Sequence, residues 1–177
     1  ICGVRLQPLV DALKAELLAQ PVLHADETPV AMLKPGHGKT HRAYLWAYAP
    51  GAFESMRAVV YNFCESRAGE HARSFLGDWR GSLVCDDYAG YKASFNQGVT
   101  EIGCLAHARR KFFDLHAANK SQIAEHAIKQ LAQVYEIEQQ VKDMPEAQRL
   151  EIRQQRSRPI MDALHEWMLR QRQQVAG

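Results

Sequence analysis

The hydrophobic rhythm of this chain changes once, near residue 107, and that change limits the possible folds more than any other feature. Before it, short runs rich in β-branched and aromatic residues at 22–26, 42–48, 58–63, 82–86 and 101–106 suit strands. Pro50-Gly51, between the second and third runs, is a turn signal that suits an antiparallel pair. Two helices are interleaved. One spans 6–18, with Leu6, Leu9, Val10, Leu13, Leu17 and Leu18 at helical spacing; the other spans 69–79, with Ala72, Phe75, Leu76 and Trp79 on one face. After 107 only the helical period remains. Residues 107–118 read as a helix, and 121–142 repeat Ile123, Ala127, Leu131, Val134, Ile137 and Val141 every three or four positions. Pro145 ends that run, and Pro159 marks the start of a last helix carrying Ile160, Leu164, Trp167 and Met168. Strands followed by helices predict an α/β core and then an α-helical region. The expected sheet has five strands, the first three an antiparallel meander and the last two parallel to the first.

With 177 residues and 46% hydrophobic content, the chain can bury one real core plus a helical appendage. Disordered, collagenous and disulfide-miniprotein readings are excluded. No apolar run approaches the ~20 residues of a membrane span, and no basic-then-apolar leader opens the chain. A soluble, cytoplasmic protein is expected. Cys2, Cys64, Cys85 and Cys104 are scattered without a CxxC pair and read as ordinary buried thiols. The net charge of +2 neither demands nor excludes nucleic acid, so that question passes to local charge. The first residue is Ile1, which suggests a fragment.

Two aspartates end two of the strands. Asp26 precedes Glu27-Thr28-Pro29, and Asp86 precedes Asp87-Tyr88-Ala89-Gly90-Tyr91. Adjacent strands lie ~4.8 Å apart, so carboxylates at matched heights can share a cation. At ~4 Å their mutual repulsion is about 4 kcal/mol for an effective dielectric near 20, and a divalent metal relieves it. The competing reading is that each aspartate caps a turn.

Three segments occur in a telling order: His24-Ala25-Asp26-Glu27-Thr28-Pro29, Cys85-Asp86-Asp87-Tyr88-Ala89-Gly90-Tyr91, and Gly103-Cys104-Leu105-Ala106-His107-Ala108-Arg109-Arg110-Lys111-Phe112. Together they closely resemble the transposases of the insertion-sequence-sixty-six family, from about residue 20 to the end. The resemblance implies a ribonuclease-H-like α/β core, a five-stranded mixed sheet with flanking helices, followed by an α-helical insertion region. It implies a first helix over 1–20, a partial catalytic core over 21–118 and the insertion over 119–177. It further implies a DDE triad holding two Mg²⁺ or Mn²⁺ ions, with Asp26 as the first aspartate and Asp86 as the second. Asp87 stands where the family often has glycine and is the weaker claimant. The implied partners are the DNA of mobile-element ends and target, and further copies of the chain in a synaptic complex.

The family's glutamate lies in a motif reading roughly Asn-x-x-Glu-Arg, which does not occur between His107 and Gly177. Glu125, Glu136, Glu138, Glu151 and Glu166 read instead as solvated helix faces. The third ligand is therefore expected downstream, and this stretch alone is expected to be inactive. Arg109, Arg110, Lys111 and Lys120, against Asp114 alone, give residues 103–120 a local charge of +3, suited to DNA phosphates or simply to solubility. His107 suits a phosphate contact, a carboxylate-orienting role or a structural one.

Other motifs are weaker. His37 and His41 have a ligand-like spacing but lack a third ligand. Lys34, Lys39 and Arg42 sit in a polar loop that either follows DNA or is merely solvated. Gly36-His37-Gly38-Lys39-Thr40 lacks the spacing of a phosphate loop. Two rival functions stay open: a noncatalytic transposase remnant that binds DNA or assembles, and a metal-dependent nuclease of the same fold.

Overall fold

The computed structural model describes residues 2–36 and 38–175. The fold divides after Cys104 into two compact units.

The first unit holds α1 (Cys2–Leu18), β1 (Val22–Met32), β2 (His41–Pro50), β3 (Val60–Cys64), α2 (Glu70–Leu76), β4 (Ser82–Cys85), α3 (Lys92–Phe95) and β5 (Thr100–Gly103). Its sheet runs β3-β2-β1-β4-β5. β1, β2 and β3 pair antiparallel, whereas β4 is parallel to both β1 and β5. This is the mixed five-stranded sheet expected from the strand spacing, followed by helices. β1 runs past Pro29, where the sequence alone suggests an end at 26. Beyond His24 it pairs with β2 but no longer with β4, and an edge of that kind tolerates a residue without an N–H.

Side chains alternate across the strands. Leu23, Ala25, Trp46, Tyr48, Val60, Leu83 and Cys85 face a core shared with Ala72, Phe75, Leu76 and Trp79 of the second expected helix and its exit. Tyr48 stacks on Phe75 with ring centroids 3.7 Å apart, and the Trp79 indole donates to the Gln20 carbonyl at 2.9 Å. The apolar stripe of α1 is buried only at its C-terminal end. Leu17 is inaccessible and Leu13 packs on the core, but Leu6 and Leu9 are exposed. Gly69 begins α2 against Gly90, where any Cβ would collide with the Gly90 backbone. That close approach holds the loop after β3 against the turn after β4.

The second unit contains α4 (Leu105–Asn119), α5 (Gln122–Val141), α6 (Glu146–Ile152) and α7 (Arg158–Val175). α5 starts at Ser121, whose side chain accepts the Ala124 N–H, and buries Ala127, Leu131, Val134, Ile137 and Val141 as its period requires. Leu164 of α7 is buried with Ala127 and Leu131, and Phe112, Trp167 and Met168 pack around them. Sequence spacing suggests a fresh start near Pro159. Pro159 is indeed the second residue of α7, but one turn of π-helix over Arg153–Ser157 joins α6 to α7 without a break, and the Arg158 N–H bonds the Arg153 carbonyl five residues back. A widened turn is one way to place a proline, which offers no N–H, inside a continuing helix. Among the described residues no helix is long and apolar enough to cross a membrane.

Candidate active site

The parallel pairing of β1 with β4 sets the geometry. Val22 lies opposite Ser82, Leu23 opposite Leu83 and His24 opposite Val84. The same sequence offset separates Asp26 from Asp86, each two residues past the last pair. Both lie just beyond the last paired residues, where the two strands end their shared ladder. Asp86 stands just past the end of β4, and its Oδ2 faces the Arg67 guanidinium. Ala25 and Glu27 are buried on one face, whereas Asp26 is exposed on the other, and Asp86 follows the buried Cys85.

Each aspartate is oriented by a backbone N–H. Asp26 Oδ1 accepts from the Glu27 N–H at 2.9 Å, and Asp86 Oδ1 accepts from the Tyr88 N–H at 3.0 Å. Asp87 is turned elsewhere. Its carboxylate meets Lys92 Nζ at 2.8 Å, and the same ammonium reaches Glu101 at 2.7 Å. Those two hydrogen bonds hold the Lys92 pKa above its ordinary value.

Beneath the aspartates is a group that the sequence alone does not reveal. Glu27 has a side chain only 1% exposed. Its Oε1 accepts from Arg67 Nε at 2.7 Å and Nη2 at 2.5 Å, and its Oε2 accepts from the Tyr91 hydroxyl at 2.8 Å. Arg67 Nη2 also lies 3.9 Å from Asp86 Oδ2, an ion pair without a hydrogen bond. The guanidinium stacks 3.8 Å from the Tyr88 ring centroid, and the Tyr88 hydroxyl donates to the Arg67 carbonyl. Burial works against the Arg67 charge, but the Glu27 hydrogen bond and charge outweigh it and hold the pKa above the usual arginine value. Burial, then the Glu27 charge and hydrogen bond, push the Tyr91 phenol well above its usual range. The alternation of β1 marks Glu27 as inward-facing, but nothing local to Arg67 announces its partner.

Asp26 within β1 and Asp86 just past β4 offer hard carboxylate oxygens, a donor type that suits Mg²⁺ or Mn²⁺ completed by water and phosphate. Among the described residues no group of three or more His, Cys, Asp or Glu side chains is placed to hold a metal. The candidate site is thus a pair of carboxylates.

The basic segment lies in the second unit. Ala106, Arg109, Arg110 and Phe113 of α4, with Ala132, Tyr135 and Glu136 of α5, line a cleft of about 590 Å³. The Arg109 guanidinium lies 5.9 Å from the Tyr135 ring centroid. Lys111 is exposed and His107 half-buried, one turn apart on α4 and outside that cleft lining. The His41 ring bonds the Glu65 carbonyl at 2.7 Å, and His37 lies outside the described residues.

The family model described as "Transposase IS66 family" matches residues 1–177. Three curated proteins of Sinorhizobium fredii (strain NBRC 101917 / NGR234) are similar. "Uncharacterized protein y4qI" is 34% identical over 99% of this chain and 35% of its own length. "Uncharacterized protein y4hP" is 31% identical over 94% and 34%, and "Uncharacterized protein y4jD" is 36% identical over 90% and 33%. The chain thus spans about a third of the length of these relatives. No solved structure matches it.

Proposed function

The chain belongs to the IS66 family of transposases, and from that premise we propose that it forms part of the catalytic core of a DDE transposase that cuts and joins DNA at mobile-element ends. The observation that supports the proposal is the parallel pairing of β1 with β4, in which Asp26 and Asp86 each stand two residues past the last pair. In this reading the two carboxylates hold Mg²⁺ or Mn²⁺. Ions bound to such carboxylates activate an attacking hydroxyl and stabilise the leaving oxygen of an in-line displacement at phosphorus. The chain's own residues fix the site. The Tyr88 and Glu27 N–H groups aim the carboxylates, and the Glu27–Arg67 pair anchors the surrounding loops.

Residues 21–118 act as the partial core and 119–177 as the helical insertion in this proposal. The third carboxylate comes from outside these 177 residues. Four of the five candidate glutamates are engaged locally: Glu125 with Lys129, Glu138 with Arg153, Glu151 with Gln155 and Glu166 with Arg170. Glu136 lines the cleft beside Arg109 and Arg110. His107, Arg109, Arg110 and Lys111 contact DNA phosphates, and the active assembly is a homo-oligomer acting in the cytoplasm.

The test is metal-dependent cleavage of element-end duplex by a chain extended to the relatives' full length. Activity in Mg²⁺ that is lost with Asp26→Asn and with Asp86→Asn is the expected result. Undiminished activity in both variants overturns the assignment.

A further inference from the structure

The geometry points to Arg67 as a DNA-binding residue that grips a backbone phosphate beside the Asp26–Asp86 pair. This inference rests on the transposase reading and adds to it a residue outside the aspartate pair and the basic segment of α4.

The side chain is held as a binding group must be. Glu27 takes Nε and one Nη2 proton, and the Tyr88 ring lies beneath the guanidinium plane. Its rotamer entropy is therefore already lost before any ligand arrives. The fork is nevertheless incompletely used. The side chain is 41% exposed, and among the described residues Nη1 makes no hydrogen bond. Asp86 Oδ2, 3.9 Å from Nη2, is too distant to take a proton but puts the guanidinium beside that carboxylate. An arginine fork with free N–H groups next to a carboxylate pair matches a phosphodiester whose other oxygens face those carboxylates through a cation.

Charge makes the contact conditional. Asp26, Glu27 and Asp86 against Arg67 leave a formal charge of −2, which repels a phosphate until a divalent cation offsets it. Arg67 therefore engages DNA only when the aspartate pair is loaded. A purely structural Arg67, present to neutralise Glu27, has no such dependence.

The test measures binding of a duplex of arbitrary sequence against salt, at fixed Ca²⁺ and again in EDTA. Ca²⁺ takes the same oxygen ligands as Mg²⁺. Two variants are compared with the parent chain. Glu27→Gln/Arg67→Met removes one charge of each sign, so the net field is unchanged and no buried carboxylate is stranded. Arg67→Lys keeps the ion pair but gives its single ammonium to Glu27. In Ca²⁺ both variants should lower the slope of log K against log salt by about 0.9, which is roughly 3.5-fold in affinity between 50 and 200 mM. In EDTA all three slopes should coincide. Equal slopes in Ca²⁺, with the parent binding normally, overturn the role of Arg67 alone. Absence of any Ca²⁺-dependent binding by the parent overturns this inference together with the transposase reading beneath it.

Discussion

Arg67 Nε and Nη2 both donate to Oε1 of Glu27, forty residues earlier, on a sheet face otherwise built from apolar side chains. The pair links the loop after β3 to the strand that carries Asp26, and the Tyr91 hydroxyl completes it from the turn after β4. Three chain segments thus meet at one buried carboxylate.

Removing the cation should therefore destabilise the fold. Arg67→Ala strands the Glu27 carboxylate and should cost about 3 kcal/mol, the low end for a broken buried pair because the guanidinium is partly exposed. Glu27→Gln/Arg67→Met should recover most of that stability. Urea denaturation followed by circular dichroism checks both values, and a neutral Arg67→Ala would show that the pair adds nothing to stability.

Metal affinity should follow Asp26 and Asp86, the two aspartates just past the β1–β4 ladder. Asp26→Asn and Asp86→Asn should each weaken Mn²⁺ binding about tenfold, roughly 1.4 kcal/mol. Asp87→Asn should leave it unchanged, since that carboxylate is paired with Lys92. Electron paramagnetic resonance of free Mn²⁺ reads the difference directly, and a weakening confined to Asp87→Asn would reassign the ligand.

The basic segment of α4 should separate into two parts. Arg109→Ala/Arg110→Ala changes the cleft, whereas Lys111→Ala changes an exposed face. Each phosphate no longer neutralised should reduce the salt slope of duplex binding by about 0.9, so the double variant should flatten it more than the single one. Salt plots identical to the parent's would assign the whole segment to solubility.

Thiol reactivity should report the fold. Burial, aided by the charges of Glu101 and Asp86, pushes the Cys85 thiol up to about 12, and burial raises Cys64 as well. Among Cys64, Cys85 and Cys104, iodoacetamide at pH 8 should modify the half-buried Cys104 first and reach the other two only through unfolding. In the unfolded chain a thiol ionises near pH 8.5. Above that pH the unfolded state releases a proton that folded Cys85 keeps, so stability should fall as pH rises from about 8.5 towards 12. Cys85→Ala should flatten that decline. Mass spectrometry of the alkylated chain and denaturation at pH 8 and 10 check the two parts.

Much of the architecture was legible along the chain because alternation and helical period are local signals. The strands near 22, 42, 60, 82 and 100 follow from them, as do the buried faces of α2 and α5. The exceptions have local causes that only pairing discloses. β1 continues through Pro29 because its partner on one side has ended, and the helix continues through Pro159 because one turn widens. Leu6 and Leu9 carry the spacing of a buried face, yet spacing says nothing of whether another element lies over them.

By itself, the sequence determined where strands and helices form along the chain and which face each strand turns inward. Those properties depend on neighbours within a few positions, where sterics and hydrogen bonding act directly. Only the tertiary structure decided that β1 lies beside β4, with Asp26 and Asp86 following the end of one parallel ladder, because register between parallel strands is set by the whole ladder and by the crossover joining them. Only it decided that Glu27 is answered by Arg67 and Tyr91. A buried charge must find its partner in space, and no rule of spacing along the chain says where that partner will be.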